Sequence, residues 1–398
     1  MPKVLCIAYH FPPSSSVAGS LRSAEFARYL PSFGWEVTVL ALRERSGEEQ
    51  YADVIRVPSL LPWRRPFNLS PYGWLVPLLI IGWNRLRKRQ HDVIYVSCPP
   101  FGFVPAVAWL KKTTGLPLVV DFRDAWTPGP YRASSRLEWF VTRYLFRPME
   151  RWLLRSADSL VVNTPSALRV YLKHYPWLAG RVHYIPNGYS EELFPKQAAV
   201  TRTDEFTVLH CGPFNVSGRD PMPLLAALRI LQQEGRLVRL KILGDSGEGL
   251  KSQALSCGVV QQVDVLPPLS HQESLLLQQQ CDALLLYQAP SSSDVTAVAG
   301  KTFEYIRSAK PILVIAPTGD NRRLVEHYAG YFVSAADHRP ESIASCLRQL
   351  LEAWQAGSLP SVAQPRPGFD RFFERRMLTG RLASLFGSIL RGDSPASG

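Results

Sequence analysis

The chain has 398 residues, of which 46% are hydrophobic, 20% are charged and six are cysteines; this length favours two domains, and this composition excludes an intrinsically disordered chain. The cysteines form no CxxC pair, which argues against a zinc site or a disulfide framework and favours reduced, mostly buried thiols. The formal net charge is +12, and residues 1–195 hold 24 basic and 14 acidic side chains, so the first half is expected to meet an acidic partner such as nucleic acid, anionic lipid or a phosphorylated acceptor, with mere solubility as the alternative.

The first half alternates short apolar runs with helical patterns. The predicted strands are residues 3–9, 36–42, 53–59, 92–97, 117–124, 158–165 and 182–187. Helices are predicted at about 20–33, 104–112 and 135–155. The apolar side of the last helix has core-like spacing and consists of Trp139, Phe140, Tyr144, Leu145, Trp152 and Leu153. The first run, at 4–9, is too short for the core of a signal peptide, so we do not expect secretion.

Residues 63–90 combine an apolar helix with basic flanks. The apolar part, at 74–83, is about half as long as a membrane-spanning helix and is interrupted by Pro77 and Gly82. Its basic flanks are Arg64, Arg65, Arg85, Arg87, Lys88 and Arg89. The pattern suits a helix lying on an anionic membrane surface, and it equally suits a core helix with a solvated basic end.

A polar, apolar-poor segment at 187–205 separates the first half from a second alternation of strands and helices. Strands are predicted at 206–212, 238–246, 263–269, 282–288, 311–317 and 331–335. We therefore place a first domain at 1–195 and a second at 196–368. After a proline-rich stretch, residues 369–398 begin with a helix, at about 369–390, that we expect to return to the first domain. Both domains are predicted to be doubly wound α/β folds that face a central cleft, where such folds bind ligands.

The segment YHFPPSSSVAGSLR at 9–22 follows the first predicted strand and enters a helix. Small residues there let backbone N–H groups approach an anion, although an ordinary strand-to-helix turn has the same pattern. Together with the FARYLPSFGWEVTVL that follows, the segment resembles the amino terminus of family 4 retaining glycosyltransferases, which have the GT-B fold. The resemblance implies that Gly19 lies beside the donor phosphate and sugar, with Arg22 as its companion.

The segment VVDFRDAW at 119–126 places Asp121, Arg123 and Asp124 at the end of an apolar strand. A buried unpaired carboxylate is costly, so these groups either pair with one another or face a cleft. In the resembling family this strand end reaches the donor sugar and acceptor, and many members have a histidine in place of Arg123. Asp124 is the preferred contact to a sugar or acceptor hydroxyl.

In the second domain, HCGPFNVSGRD at 210–220 repeats the strand, glycine loop and helix start. An arginine before a helix suits a diphosphate because its guanidinium forms two parallel hydrogen bonds; a surface arginine at a turn is the alternative. The resemblance places Gly212 and Arg219 at the donor. Pro213 stands where the family commonly has a further basic residue.

The segment AGKTFEYIRSAKPILVI at 299–315 strongly resembles the donor-binding helix of family 4 enzymes. The resemblance implies that Glu304 accepts hydrogen bonds from the ribose hydroxyls. Gly300 and Lys301, at the helix start, offer an N–H group and an ammonium to the phosphates. Thr296 replaces a second glutamate of the family pattern.

The resemblance implies transfer of sugar from a nucleotide-sugar donor to a glycan or lipid-linked acceptor, with retention, in polysaccharide or glycoconjugate biosynthesis. Asp124, Arg219 and Lys301 are the expected catalytic residues, and no DxD motif suggests a metal or other cofactor. We expect a cytoplasmic protein, peripheral at the inner membrane face.

Two other functions remain open. A nucleotide-sugar epimerase of the same fold needs no acceptor. A catalytically silent protein that binds nucleic acid or a membrane suits the basic first half, although no nucleic-acid-binding motif supports it.

Overall fold

The computed structural model describes residues 1–13, 18–43, 53–61, 69–127, 136–195, 204–216, 218–244, 248–290 and 297–393. These residues form two compact units. The first consists of residues 1–187 together with 375–398, and the second of residues 188–374. The division lies between Asn187 and Gly188, a few residues before the boundary expected near residue 195.

The first unit is built on a seven-stranded parallel sheet. Its strands are β1 Lys3–Ala8, β2 Glu36–Leu42, β3 Val54–Val57, β4 Val93–Cys98, β5 Leu118–Phe122, β6 Ser159–Val162 and β7 Val182–Tyr184, in the order β3-β2-β1-β4-β5-β6-β7. The strands are nearly continuous apolar runs because helices cover both faces of the sheet. Along β1, Leu5 and Ile7 belong to one hydrophobic core, and Cys6 and Ala8 to the other.

Eight α-helices of the first unit lie within its described residues. They are α1 Ala18–Tyr29, α2 Ser70–Gly73, α3 Leu75–Leu86, α4 Val104–Thr114, α5 Arg136–Val141, α6 Arg147–Ser156, α7 Pro165–His174 and, from the end of the chain, α15 Arg375–Arg391, with a π-helical segment, Thr142–Phe146, joining α5 to α6. The helix predicted at 135–155 is therefore one rod with a π-helical middle.

The second unit repeats the architecture with six parallel strands. They are β8 Thr207–Cys211, β9 Arg239–Leu243, β10 Val263–Leu266, β11 Ala283–Tyr287, β12 Ile312–Ile315 and β13 Phe332–Ser334, in the order β10-β9-β8-β11-β12-β13. Its helices are α8 Met222–Gln233, α9 Glu248–Ser256, α10 His271–Gln280, α11 Gly300–Arg307, α12 Asp320–Tyr328, α13 Pro340–Gln355 and α14 Phe369–Phe373. Each of the thirteen predicted strand segments corresponds to one observed strand; twelve contain it entirely, and β4 extends one residue beyond its segment, to Cys98.

The predicted final helix is two helices. Glu374 has an extended backbone, with φ −70° and ψ 129°, and it ends α14 before α15 begins. Helix α15 packs against α1, and its Leu378, Leu382 and Phe386 enter the same core as Trp35 and Tyr95.

In both sheets the strand order reverses beside the first strand of the unit, at β1 and β4 and at β8 and β11. Connections leave such a point in opposite directions, which opens a crevice at the carboxyl ends of the strands. A ligand-binding site is therefore expected at the loops that follow β1 and β8.

Candidate functional site

Four predicted residues of the second unit converge where β8 ends. Gly212 has φ +119°, which favours glycine, and a Cβ there would lie 3.4 Å from Lys301 Nζ and 3.7 Å from Arg219 Nη1. Residues 212, 219 and 301 therefore meet at one point, and Glu304 lies one turn further along α11. We call Gly212, Arg219, Lys301 and Glu304 the β8-end cluster.

Lys301 is held by the end of β8. Its Nζ donates to the carbonyl of Cys211 at 2.6 Å and lies 3.3 Å from His210 Nε2. His210 Nδ1 lies 2.9 Å from the carbonyl of Leu285, so Nδ1 carries the proton and Nε2 accepts from the lysine. Burial, and next the positive charge of Lys301, hold the pKa of His210 well below its usual range.

The amino group of Lys301 changes between its charged and neutral forms near neutral pH. Burial, and next the nearby Arg219 guanidinium, lower the pKa of Lys301 to about 7. Two adjacent cationic side chains repel each other unless an anion lies between them, and burial strengthens that repulsion. The geometry therefore suits an anion such as a phosphate.

Glu304 is oriented by a histidine from another helix. Its Oε1 lies 2.8 Å from His271 Nε2. His271 begins α10, and a capping box between Ser270 and Glu273 fixes that helix start. One carboxylate oxygen is thus engaged by His271, which fixes the plane of the carboxylate.

Helix α11 is held by hydrogen bonds to β8 and to α12, so its first turn is fixed relative to β8. The Tyr305 hydroxyl accepts from the backbone N–H of Cys211 at 2.8 Å, and Thr302 Oγ1 bonds Asn321 Oδ1 at 2.6 Å. Among the described residues, no atom lies within 4 Å of a Cβ placed at Gly300, the first residue of α11. The N–H groups at the start of a helix favour an anion.

In the first unit, Arg22 and Asp121 form a buried pair. Arg22 donates from Nε and Nη2 to the two carboxylate oxygens of Asp121, at 2.7 and 3.1 Å. It also donates to the carbonyls of Pro186 and Ile185, at 2.6 and 2.8 Å. The Tyr95 hydroxyl donates to the same carboxylate. The pair therefore joins α1, β5 and the end of β7 in the protein interior.

The other predicted polar groups of the first unit lie nearer the surface. Arg123 Nη2 donates to the carbonyl of Pro99 at 2.7 Å, and Asp124 is exposed. His10 follows β1, and burial, together with the charge of Arg123, lowers the pKa of this histidine to about 4. The Arg123 guanidinium interacts electrostatically with both Asp124 and His10, and a carboxylate beside a guanidinium suits recognition of hydroxyl groups.

Comparison with known proteins agrees with this architecture. Residues 22–193 match the family model described as Glycosyltransferase Family 4. Those residues are a glycosyltransferase family 4 domain. No curated protein sequence matches the chain.

Solved structures similar to this chain extend over nearly its whole length. They include sucrose-phosphate synthase from Thermosynechococcus elongatus, with 15% identity, TM-score 0.74 and coverage of 99% of this chain and 100% of that one. Anabaena HepE in complex with UDP-glucose has 17% identity, TM-score 0.69 and coverage of 97% and 99%. A putative UDP-N-acetylglucosamine 2-epimerase from Listeria monocytogenes has 12% identity, TM-score 0.63 and coverage of 100% and 99%. The chain has the GT-B fold.

The structure changes the interpretation of two predicted donor residues of the chain. Arg22 and Asp121 are 4% and 0% exposed and bond to each other and to main-chain carbonyls, so they support the strand ends rather than present atoms to a donor. The internal pair considered at this loop does exist, but Asp121 forms it with Arg22 rather than with Arg123. Gly19 is the second residue of α1, while residues 14–17 and Thr296 lie outside the described residues.

Sequence reasoning missed His210 and His271. His210 carried a signal, because it is a polar residue inside an otherwise apolar strand. His271 carried none, since its partner Glu304 is 33 residues away. Within the described ranges, no group of three or more His, Cys, Asp or Glu side chains is arranged to hold a metal ion. None of the helices in those ranges has the length and apolar character needed to cross a membrane.

Proposed function

We propose that the glycosyltransferase transfers sugar from a nucleoside-diphosphate sugar to a glycan or lipid-linked acceptor, with retention of anomeric configuration and without a metal ion. The observation that carries the proposal is the β8-end cluster. Its two cationic side chains and the start of α11 lie close together, as binding of one phosphate requires, and the Glu304 carboxylate lies one turn further along the helix.

Each member of the cluster has a distinct role in the proposal. Arg219, Lys301 and the backbone N–H of Gly300 bind the diphosphate, and the bare backbone of Gly212 lets a phosphate approach both cations. Glu304, already oriented by His271, accepts hydrogen bonds from the two ribose hydroxyls. Hydrogen bonds to a charged group contribute about 1.5–3 kcal/mol each.

Catalysis by this arrangement is stabilisation of the leaving group. Negative charge grows on the diphosphate as the glycosidic bond breaks, and Arg219 and Lys301 lie where that charge develops. Removing one such preorganised donor costs roughly 3 kcal/mol, or a hundred- to thousandfold in rate. The two side chains therefore supply charge neutralisation that a divalent ion supplies elsewhere.

On the acceptor side, Asp124 is the proposed contact to a sugar or acceptor hydroxyl, with Arg123 and His10 beside it. A lipid-linked acceptor implies that sugar transfer takes place at the cytoplasmic face of a membrane, in polysaccharide or glycoconjugate biosynthesis. We assign the described part of segment 63–90, residues 69–90, to that membrane surface; residues 63–68, with Arg64 and Arg65, lie outside the described residues. Helix α3 exposes Val76 and Ile80, whereas on its other side a Cβ at Gly82 would lie 2.9 Å from Leu110 Cδ1.

Calorimetry with UDP, GDP and ADP tests the donor site. HepE is named as a complex with UDP-glucose, so UDP is the first ligand to use. We expect micromolar binding of one diphosphate, weakened at least tenfold in Glu304→Ala. Glu341→Ala, which removes an exposed glutamate at the start of α13, should bind like the wild type. Equal affinity of Glu304→Ala and wild type would remove the ribose assignment.

A nucleotide-sugar epimerase is the second candidate, because a putative UDP-N-acetylglucosamine 2-epimerase shares the fold. Product analysis with the donor alone separates the two functions. An epimerase converts the sugar of the donor without an acceptor, whereas a transferase leaves that sugar unchanged or hydrolyses it slowly.

A further inference from the structure

A histidine lies inside the apolar strand β8. His210 is 0% exposed, and the two residues before it, Val208 and Leu209, belong to two hydrophobic cores. A buried polar side chain lowers stability unless its polar atoms find hydrogen-bond partners. The partners of the two ring nitrogens therefore indicate what this histidine does.

One ring nitrogen of His210 bonds the neighbouring strand. Strand β8 pairs with β11 at Leu209 and Leu284, and the next carbonyl along β11, that of Leu285, lies 2.9 Å from His210 Nδ1. A carbonyl only accepts hydrogen bonds, so Nδ1 carries the proton and Nε2 has a free lone pair. The ring also packs against Phe214, with ring centres 4.8 Å apart, and this contact helps to fix its orientation.

The other ring nitrogen of His210 faces Lys301. Its Nε2 lies 3.3 Å from Lys301 Nζ, and the same Nζ donates to the carbonyl of Cys211 at 2.6 Å. A charged lysine has three N–H groups, so within the described ranges two of them are directed at β8. The third N–H is available to a ligand, and Gly212, close to Nζ, has no side chain to cover it. The two contacts therefore set the direction in which the ammonium meets a ligand.

The charges around Lys301 act in both directions. In the part of the chain that the structure describes, Arg219, in the loop before α8, opposes protonation of this lysine, and Glu304 of α11 favours it. The thiol of Cys211 is the remaining titratable neighbour. His210 itself is neutral, since burial and the charge of Lys301 lower its pKa. A neutral acceptor stabilises the charged amine without adding a charge of its own.

We infer that His210 is a positioning residue of the donor site: its Nε2 accepts a hydrogen bond from the charged form of Lys301, directs that ammonium at the diphosphate and extends diphosphate binding to higher pH. His210 acts through Lys301 and needs no contact with the ligand. The inference rests on the proposed function for the identity of the ligand. The effect of His210 on the charge of Lys301 is a property of the protein without ligand, so it is measured separately.

Two amide variants separate the two bonds of His210. In His210→Gln the amide oxygen takes the place of Nε2 and still accepts from Lys301. In His210→Asn the shorter side chain reaches only the carbonyl of Leu285, so the contact with Lys301 is lost. Both variants are uncharged, and urea unfolding checks that each remains folded. The comparison of the two therefore reports on the contact with Lys301 rather than on the strand pairing.

Competitive labelling with acetic anhydride, followed by mass spectrometry, measures the neutral fraction of Lys301 at each pH without any ligand. Wild type should titrate with a pKa of about 7. His210→Asn should lower this pKa by about one unit, because the charged form loses an acceptor, and labelling at pH 6 should rise roughly fivefold. His210→Gln should label within about twofold of wild type. Identical labelling of His210→Asn and wild type at every pH would overturn the inference.

Calorimetry with inorganic pyrophosphate, which has the phosphate charges without base or ribose, tests the effect on binding. His210→Asn should weaken affinity about tenfold at pH 8 but only about twofold at pH 6, where Lys301 stays largely charged in both proteins. In a Lys301→Met background the same substitution should change affinity less than about twofold at either pH, because the partner is absent. His183→Asn, at a half-buried histidine of β7 in the first unit, is the matched control and should bind like the wild type.

Two further outcomes would overturn the inference. An equal loss of affinity at both pH values, or the same loss in the Lys301→Met background, would show that His210 only supports the strands. If wild type binds neither pyrophosphate nor UDP while His210→Asn still shifts the labelling of Lys301, the proposed function fails and the contact between the two side chains is supported.

Discussion

At the residue scale, the β8-end cluster keeps two cations together before any ligand arrives. Lys301 contacts the carbonyl of Cys211 and the neutral imidazole of His210. The charge of Arg219 opposes its protonation, and the charge of Glu304 favours it. A bound diphosphate would reduce the repulsion between the two cationic side chains. Diphosphate binding and protonation of Lys301 are therefore coupled. Burial, and next the charge of Lys301, keep His210 neutral, so no third positive charge opposes that protonation.

Diphosphate affinity should therefore depend on pH above neutrality. Free Lys301, with a pKa of about 7, is charged below that pH and neutral above it, whereas the diphosphate complex favours the charged form. Affinity is thus full at low pH and falls as pH rises, by about tenfold between pH 7.5 and 8.5. Calorimetry at the two pH values checks this. Lys301→Met should bind weakly with no such slope; a flat profile in wild type would contradict the coupling.

At the element scale, buried polar groups decide how helices are oriented. Glu150 joins α6 to the loop after β5 and to α7 through Thr127, Tyr171 and Tyr175. Burial raises the pKa of Glu150, while the hydrogen bonds that it accepts act in the opposite sense. One carboxylate therefore sets the rotation of the whole rod, and with it the direction of its aromatic side.

Glu150→Ala should destabilise the first unit by about 3 kcal/mol, because three buried hydroxyl groups and one backbone N–H lose their acceptor. Urea unfolding followed by circular dichroism measures the effect as a lower midpoint. Glu150→Gln keeps an acceptor oxygen and should lose less than half as much. If both variants unfold at the wild-type midpoint, Glu150 does not hold the rod in place.

At the scale of the whole molecule, the first unit is completed by the end of the chain. Phe386 of α15 is fully buried, with ring centres 5.2 Å from Trp35 and 6.0 Å from Tyr95. Arg381 donates to the carbonyl of Tyr184 at 2.7 Å. The core on one face of the first sheet thus requires residues nearly four hundred positions apart.

Phe386→Ala should destabilise the first unit by about 3–5 kcal/mol, the usual cost of removing a buried phenyl ring. Hydrogen exchange followed by mass spectrometry should show faster exchange in β1 and β4 and unchanged exchange in β8. Leu350→Ala, in the core of the second unit, should give the reverse pattern. Faster exchange in both units from either variant would mean that they unfold together.

The sequence by itself determined the α/β class and the strands found among the described residues, and its resemblance to family 4 enzymes placed Gly212, Arg219, Lys301 and Glu304 at one predicted donor site. Buried parallel strands are continuous apolar runs, and the loops that follow them are marked by glycine and charge. The helix at 135–155 was also visible from its spacing. Periodicity shows that a helix has an apolar side, but not what covers that side.

Tertiary structure alone decided the partners. Arg22 meets Asp121 across 99 positions and Lys301 meets His210 across 91, and no local pattern encodes such pairs. The rotation of the rod depends on a buried carboxylate that accepts from the loop after β5 and from α7, and α14 ends at Glu374, the last residue of the second unit. A hydrogen bond between residues far apart in the chain forms only when the fold brings the two residues together. The sequence therefore located the polar groups but not their pairing.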